Sequence, residues 1–168
     1  MLIYYKYGDI FRCDAEAIVN PVNCDGIMDN ELALAYKRKY PRMYNAYLRW
    51  FNEELLEPGN VYPYQIDTIE CTIWVINFTT KNKVYDRTRY EWIENGLVNL
   101  RKLCNDYDIK SIAIPKLGCE LGRLDWRIVN MLIKRHLKDD ERTVYHIFGR
   151  DTELDNHSLY PIPLNYKV

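Results

Sequence analysis

Hydrophobic positions recur along this chain with two periods, and the changes of period mark its elements. MLIYYKY alternates enough to form a first strand that ends at Gly8-Asp9. Ala17 to Asn20 is a short apolar run, read as a buried strand. Leu32, Ala35, Tyr36 and Lys39 then follow helical spacing up to Pro41, and Met43 to Leu56 reads as a second helix closed by Pro58-Gly59. The runs VYPYQI and CTIWVINF flank Asp67 and predict paired strands. Trp92, Ile93, Leu97, Leu100 and Leu103 make one stripe of a helix over Arg89 to Leu103. KSIAI (Lys110 to Ile114) predicts a strand, Leu124 to Leu137 a helix, and Thr143 to Phe148 a last strand. Strands alternating with helices predict an α/β fold whose parallel or mixed sheet is covered on both faces. The tail from Arg150 to Val168, with Pro161 and Pro163, receives no element.

Composition narrows this picture. A chain of 168 residues suits one domain, here taken as 1–168, with enough length to bury a real core. A net charge of −1 argues against a general nucleic-acid binder. The five cysteines (Cys13, Cys24, Cys71, Cys104 and Cys119) have no CxxC or zinc-ligand spacing, and reduced thiols in a cytoplasm are the simplest reading. The histidines are scattered and the acids form no metal box, so no metal and no cofactor are expected. The N-terminus lacks the apolar run of a signal peptide, and no segment is long and apolar enough to span a membrane. A monomer is expected.

Candidate chemistry gathers where strands end. In such sheets ligands sit in the crevice beyond the carboxyl ends of the strands. Three segments leave strands there, NPVNCDGIMDN, NFTTKNK and PKLGCELGR, and each is polar or glycine-containing. Lys81 follows an apolar strand, where a lysine is usually a solvated end charge. Lys83, Arg87 and Arg89 follow closely, and clustered cations with partial burial favour the neutral amine that can attack carbon. Lys83 is a second candidate, for steering phosphates or a nucleic-acid backbone. Lys37, Arg38, Lys39 and Arg42 at one helix end define a weaker possibility, a nucleic-acid-binding module.

Gly8-Asp9-Ile10, Ala17-Ile18-Val19-Asn20 with Asn23, the Lys81 segment and PKLGCELGRLDW together resemble the macrodomain family from about Ile3 to Phe148. The resemblance is greatest to the branch containing DarG antitoxins and the terminal ADP-ribose protein glycohydrolase. In that branch the first loop resembles NxVNCxGxMGKGLALxFKxxYP; here it reads NPVNCDGIMDNELALAYKRKYP. The resemblance implies a three-layer α/β/α sandwich with a mixed central sheet that binds ADP-ribose. It implies a catalytic Lys81 and a ligand-binding set: Asp9 and the Ile10 backbone at the adenine, Asn20, Asn23 and Gly26 in the first loop, and Gly118, Cys119, Glu120, Leu121 and Gly122 at the diphosphate. It also implies an ADP-ribosyl glycohydrolase, acting on ADP-ribosylated DNA, with thymidine in single strands first, or on modified protein. The alternative is a non-catalytic ADP-ribose reader.

Each residue also has a plainer role open to it. Asp9 could cap a turn, Asn20 could satisfy backbone at a strand end, and Cys24 and Cys119 could be small buried thiols. Asp125 is read as a helix cap. The phosphate loops depart from the family pattern. Gly-Lys-Gly becomes Asp29-Asn30-Glu31, and two glycine positions of the second loop become Glu120 and Arg123. Asp29, Glu31 and Glu120 either turn away, Asp29 as an N-cap and Glu31 in a first turn, or face the ligand and oppose an anion. At the position where the protein-directed glycohydrolase carries its catalytic aspartate stands Gly122, which favours a lysine-centred mechanism.

Overall fold

A computed structural model describes residues 1–152. The unassigned tail lies outside the described residues from 153 onward. Six strands, β1 (Leu2–Tyr4), β2 (Ala17–Asn23), β3 (Val61–Asp67), β4 (Thr72–Lys81), β5 (Ser111–Pro115) and β6 (Val144–Phe148), form one sheet in the order β1-β6-β5-β2-β4-β3. All neighbours pair in parallel except β3, which runs antiparallel to β4 at the edge. Four helices cover it: α1 (Glu31–Lys39), α2 (Pro41–Asn52), α3 (Tyr90–Asp106) and α4 (Trp126–Leu137).

The two-residue period of the strands sorts the core into two clusters. Ala17, Val19, Ile76, Phe78, Ile112 and Ile114 pack beneath α3 and α4, against Ile93, Leu97, Leu100, Val129 and Ile133. Ile18, Val22, Val75 and Ala113 pack on the other face against Ala33, Tyr36, Met43 and Tyr47 of α1 and α2. The result is the expected three-layer α/β/α sandwich with a mixed sheet.

Several boundaries moved for identifiable reasons. The strand read as ending at Asn20 continues through Pro21 to Asn23. The β5 ladder on β2 stops at Ile18, so the Val19 carbonyl turns instead to the Tyr36 hydroxyl at 2.8 Å. Pro21, which has no N–H, breaks no pairing on that side. Pro41 ends α1 and also begins α2, at a position where a missing N–H costs nothing. Helix α2 stops at Asn52 rather than Leu56 because Glu54 adopts φ 56° while Leu55 N donates back to Trp50 O.

Away from the crevice, Asp140 is buried and accepts from the Tyr145 hydroxyl and from Arg142 N, with Arg101 beside it. Burial acts to raise its pKa, but those partners hold the carboxyl below the usual range. A lowered folded pKa contributes stability that is present above the unfolded value of about 3.9 and is lost as pH falls through the folded value. Chemical denaturation should therefore show Tyr145→Phe less stable by roughly 2 kcal/mol at pH 7, with the gap narrowing below about pH 4. A gap unchanged at pH 2.5 would contradict this account.

Candidate functional site

Neighbouring strands β2 and β5 send their next helices to opposite faces of the sheet, α1 to one and α4 to the other. The loops that follow them must diverge, and a crevice opens at the carboxyl end of the parallel strands. It has a volume of about 770 Å³. Its walls come from the first loop, the end of β4 and the second loop after Pro115.

The first loop is held by its amides. Asn23 is almost wholly buried: its Nδ2 donates to Ile27 O at 2.8 Å, and its Oδ1 accepts from Asp25 N and from the Tyr47 hydroxyl, both at 2.9 Å. It lines the cleft, and the hydrogen bonds it makes serve the loop. Asn20 has no exposed surface and stands beneath the floor, where its Nδ2 donates at 3.0 Å to Asn77 Oδ1, its partner in the β2–β4 register. Gly26 sits behind the loop, where an added Cβ would fall 2.8 Å from the Phe51 ring. Neither Asn20 nor Gly26 is among the residues that line the cleft.

Lys81 is the last residue of β4, 9% exposed, and lines the cleft. Its Nζ donates to Val84 O at 2.7 Å and has no carboxylate partner among the described residues. The neighbouring cations are directed elsewhere. Lys83 pairs with Asp25 at 3.1 Å, and the Arg89 guanidinium lies over the Trp92 ring. Asp25 also accepts from Val84 N at 3.3 Å, and its hydrogen bond to Lys83 pulls its carboxyl below the usual range. The first loop thereby clasps the turn that carries Val84 and, through it, Lys81.

At one end Asp9, Phe11 and Phe148 line the cleft. Asp9 Oδ1 accepts from Phe11 N at 3.0 Å and caps the single 3-10 turn Ile10–Arg12, so its turn role is real. Ile10 is buried against the α1 side and lies behind the lining. The aromatic walls went unread in the sequence, although Phe148 ends a strand at the crevice edge and could have been found from that position alone.

The second loop is built on close approach. Gly118 has φ +68°, and its carbonyl accepts from Leu124 N at 2.9 Å. A Cβ on Gly122 would fall 2.3 Å from Thr88 Oγ1 and 2.5 Å from Gly118 O. Gly122→Ala must push this loop off the start of α3. Overpacking of this kind costs about 1–3 kcal/mol, so differential scanning calorimetry should find the transition several degrees lower. An unchanged midpoint would mean that the loop yields freely. Gly118, Glu120, Leu121 and Gly122 line the cleft; Cys119 does not. The Cys119 Sγ bonds Leu117 O, and burial pushes the thiols of Cys119 and Cys24 up to about 12, far from a thiolate nucleophile. No group of three or more metal-type ligands occurs among the described residues.

The acids have a definite place. Asp29, Glu31 and Glu120 all line the cleft and are exposed. Asp29 is not the helix cap: Asn30 caps α1, its Oδ1 accepting from Ala33 N at 2.9 Å, while Glu31 sits in the first turn. Asp125 does cap α4, accepting from Arg127 N at 2.9 Å. At the far end of α1, Lys37 lies over Tyr44 and Lys39 over Phe11, so this basic patch spends two of its cations on the protein's own rings.

A crevice at the switch point of an α/β/α sandwich, with a glycine-bearing loop on one side, lies where sheets of this architecture bind their ligands. Residues 19–133 match the Macro domain, and the chain belongs to that family. It is 33% identical over 147 residues to a DNA ADP-ribosyl glycohydrolase of Mycobacterium tuberculosis, covering 86% of this chain and 42% of that protein. The macrodomain of Mycobacterium tuberculosis DarG superimposes with a TM-score of 0.85 at 30% identity, over 90% of this chain and 99% of that one. Thermosipho africanus DarTG in complex with ADP-ribose superimposes with a TM-score of 0.78 at 27% identity, over 96% of this chain and 41% of that one. The chain spans less than half the length of the DNA ADP-ribosyl glycohydrolases that it matches. Among the described residues no helix is long and apolar enough to cross a membrane.

Proposed function

We propose that this chain is an ADP-ribosyl glycohydrolase that releases ADP-ribose from a modified nucleobase, with thymidine in single-stranded DNA as its target. The similarity to DNA ADP-ribosyl glycohydrolases supports the target class. The observation that carries the chemistry is Lys81: a nearly buried amine opening into the cleft, held by one carbonyl and by no carboxylate among the described residues. In this reading the adenine lies at the Asp9, Phe11 and Phe148 end. The backbone of Gly118 to Gly122 follows the diphosphate, and the distal ribose lies over Lys81.

The reaction needs the Nζ lone pair, hence the deprotonated amine. A bond forms from Nζ to the anomeric carbon while the N-glycosidic bond breaks. Its electron pair leaves with the base, which takes up a proton. Water then hydrolyses the adduct, frees ADP-ribose and returns the amine. Holding the ribose over the nitrogen supplies much of the rate. The test is release of ADP-ribose from ADP-ribosylated single-stranded DNA and from ADP-ribosylated protein. Turnover of the DNA alone is expected; turnover of protein alone would move the target, and turnover of neither would remove the activity.

A second reading has one observation in its favour. Besides Asp9, three carboxylates, Asp29, Glu31 and Glu120, line a cleft meant for an anion, which suits a weak, non-catalytic reader. Calorimetry with ADP-ribose tests both, because no heat at millimolar ligand removes the pocket that they share.

A further inference from the structure

The two lips of the cleft differ in charge. On the α1 side, Asp29 and Glu31 line the opening. On the α3 side, Thr88 N donates to Gly122 O at 3.2 Å and joins two loops. Arg87 and Arg123, the chain neighbours of those two residues, flank that junction. Both are exposed, and neither has an ion-pair partner among the described residues. Two positions before Arg87 stands Tyr85, which exposes 83% of its surface and makes no ring contact among the described residues.

Tyr85 is held out on a fixed turn. Lys83 N donates to Asp86 Oδ2 at 2.8 Å, and Asp86 N donates back to Lys83 O at 3.1 Å. The preceding residue, Val84, is tied to Asp25 through its N–H and to Lys81 through its carbonyl. Tyr85 thus follows directly on the group that holds the reactive amine. A single exposed aromatic needs no explanation. One on a clasped turn next to Val84 of the cleft lining, with exposed arginines on either side of the Thr88–Gly122 junction, has the makeup of a single-strand platform.

We propose that Tyr85, Arg87 and Arg123 form a binding platform for the single-stranded nucleic acid flanking the modified nucleotide. Tyr85 stacks on a neighbouring base, and the two arginines take phosphates. Asp29 and Glu31 repel the strand from the α1 lip, so it leaves the cleft over the start of α3. Glu120 and Asp86 on the same lip offset part of the positive charge, which makes stacking the larger contribution. The proposal rests on the reading of the target as DNA.

The experiment uses Lys81→Ala protein, so that substrate survives. It measures the dissociation constants of a single-stranded oligonucleotide carrying one ADP-ribosylated thymidine, of the ADP-ribosylated nucleoside alone and of free ADP-ribose. The oligonucleotide is expected to bind about tenfold or more tighter than the nucleoside. Tyr85→Ala should erase most of that gain. Arg87→Ala with Arg123→Ala should flatten the slope of log K against log salt by about 1.4. Affinity for free ADP-ribose should not move in any variant. Equal binding of oligonucleotide and nucleoside overturns the platform, as does a gain that survives all three substitutions or a loss of free ADP-ribose affinity on making them. Failure of the intact protein to release ADP-ribose from modified DNA, with the gain still present, removes the hydrolase reading and leaves the platform standing.

Discussion

Lys81→Ala should slow ADP-ribose release by about a thousandfold or more while leaving ADP-ribose affinity within a few fold. The substitution removes a nearly buried amine that lines the cleft and has no carboxylate partner among the described residues, whereas Lys116, the other lysine of the lining, is exposed and lies over the Trp126 ring; it breaks one hydrogen bond, to Val84 O. Val84 lines the cleft, so water can replace the lost donor and the fold should survive. Lys81→Arg sharpens the result. It keeps a cation at the position but cannot lose its proton, so it has no lone pair to offer. Inactive Lys81→Arg with ADP-ribose still bound supports attack by nitrogen. An active Lys81→Arg would show that only the positive charge matters, and an active Lys81→Ala would reject the mechanism altogether. Thermal denaturation of each variant separates lost chemistry from lost fold.

The second large effect is a gain. Asp29→Asn, Glu31→Gln and Glu120→Gln together should tighten ADP-ribose binding by on the order of a hundredfold, read by calorimetry at low salt. A unit charge about 6 Å from a phosphate, at the effective dielectric of an exposed site, costs roughly three- to tenfold in affinity. Asp29, Glu31 and Glu120 all line this cleft. The gain should shrink as salt is raised, since exposed charges are screened. Asn30 is left in place because it caps α1. If the triple variant binds no better, the three side chains turn outward when ligand enters. Tighter binding with slower turnover would indicate that the acids serve product release.

Much of the fold was legible in the sequence, and the exceptions have physical causes. Apolar runs and helical stripes located every strand and α-helix now described, because the central strands bury both faces and each helix buries one. The ends were less legible. Pro21 looked like a stop, yet the neighbouring ladder had already ended at Ile18, which no local pattern reveals. Asp29 looked like a cap because Asp and Asn cap equally well, and only the backbone path gave that place to Asn30. The site was half legible. Lys81, Asp9 and the glycines of the second loop carried motif and spacing. Asn20 and Asn23 resembled a binding wall, but one lies under the floor and the other is consumed by Tyr47, Asp25 and Ile27.

By itself the sequence determined the architecture, the family and the place of Lys81 at a strand end, since these follow from local periodicity and from residues close together in the chain. Tertiary structure alone decided which face each loop side chain takes. It joined Asp25 to the Lys83 turn, Asn20 to Asn77 and Thr88 to Gly122, pairs separated by 34 to 59 positions. It also gathered Asp29, Glu31 and Glu120 around one opening. Such contacts depend on how β2, β4 and β5 lie side by side, and that order is set by the whole sheet rather than by any single segment.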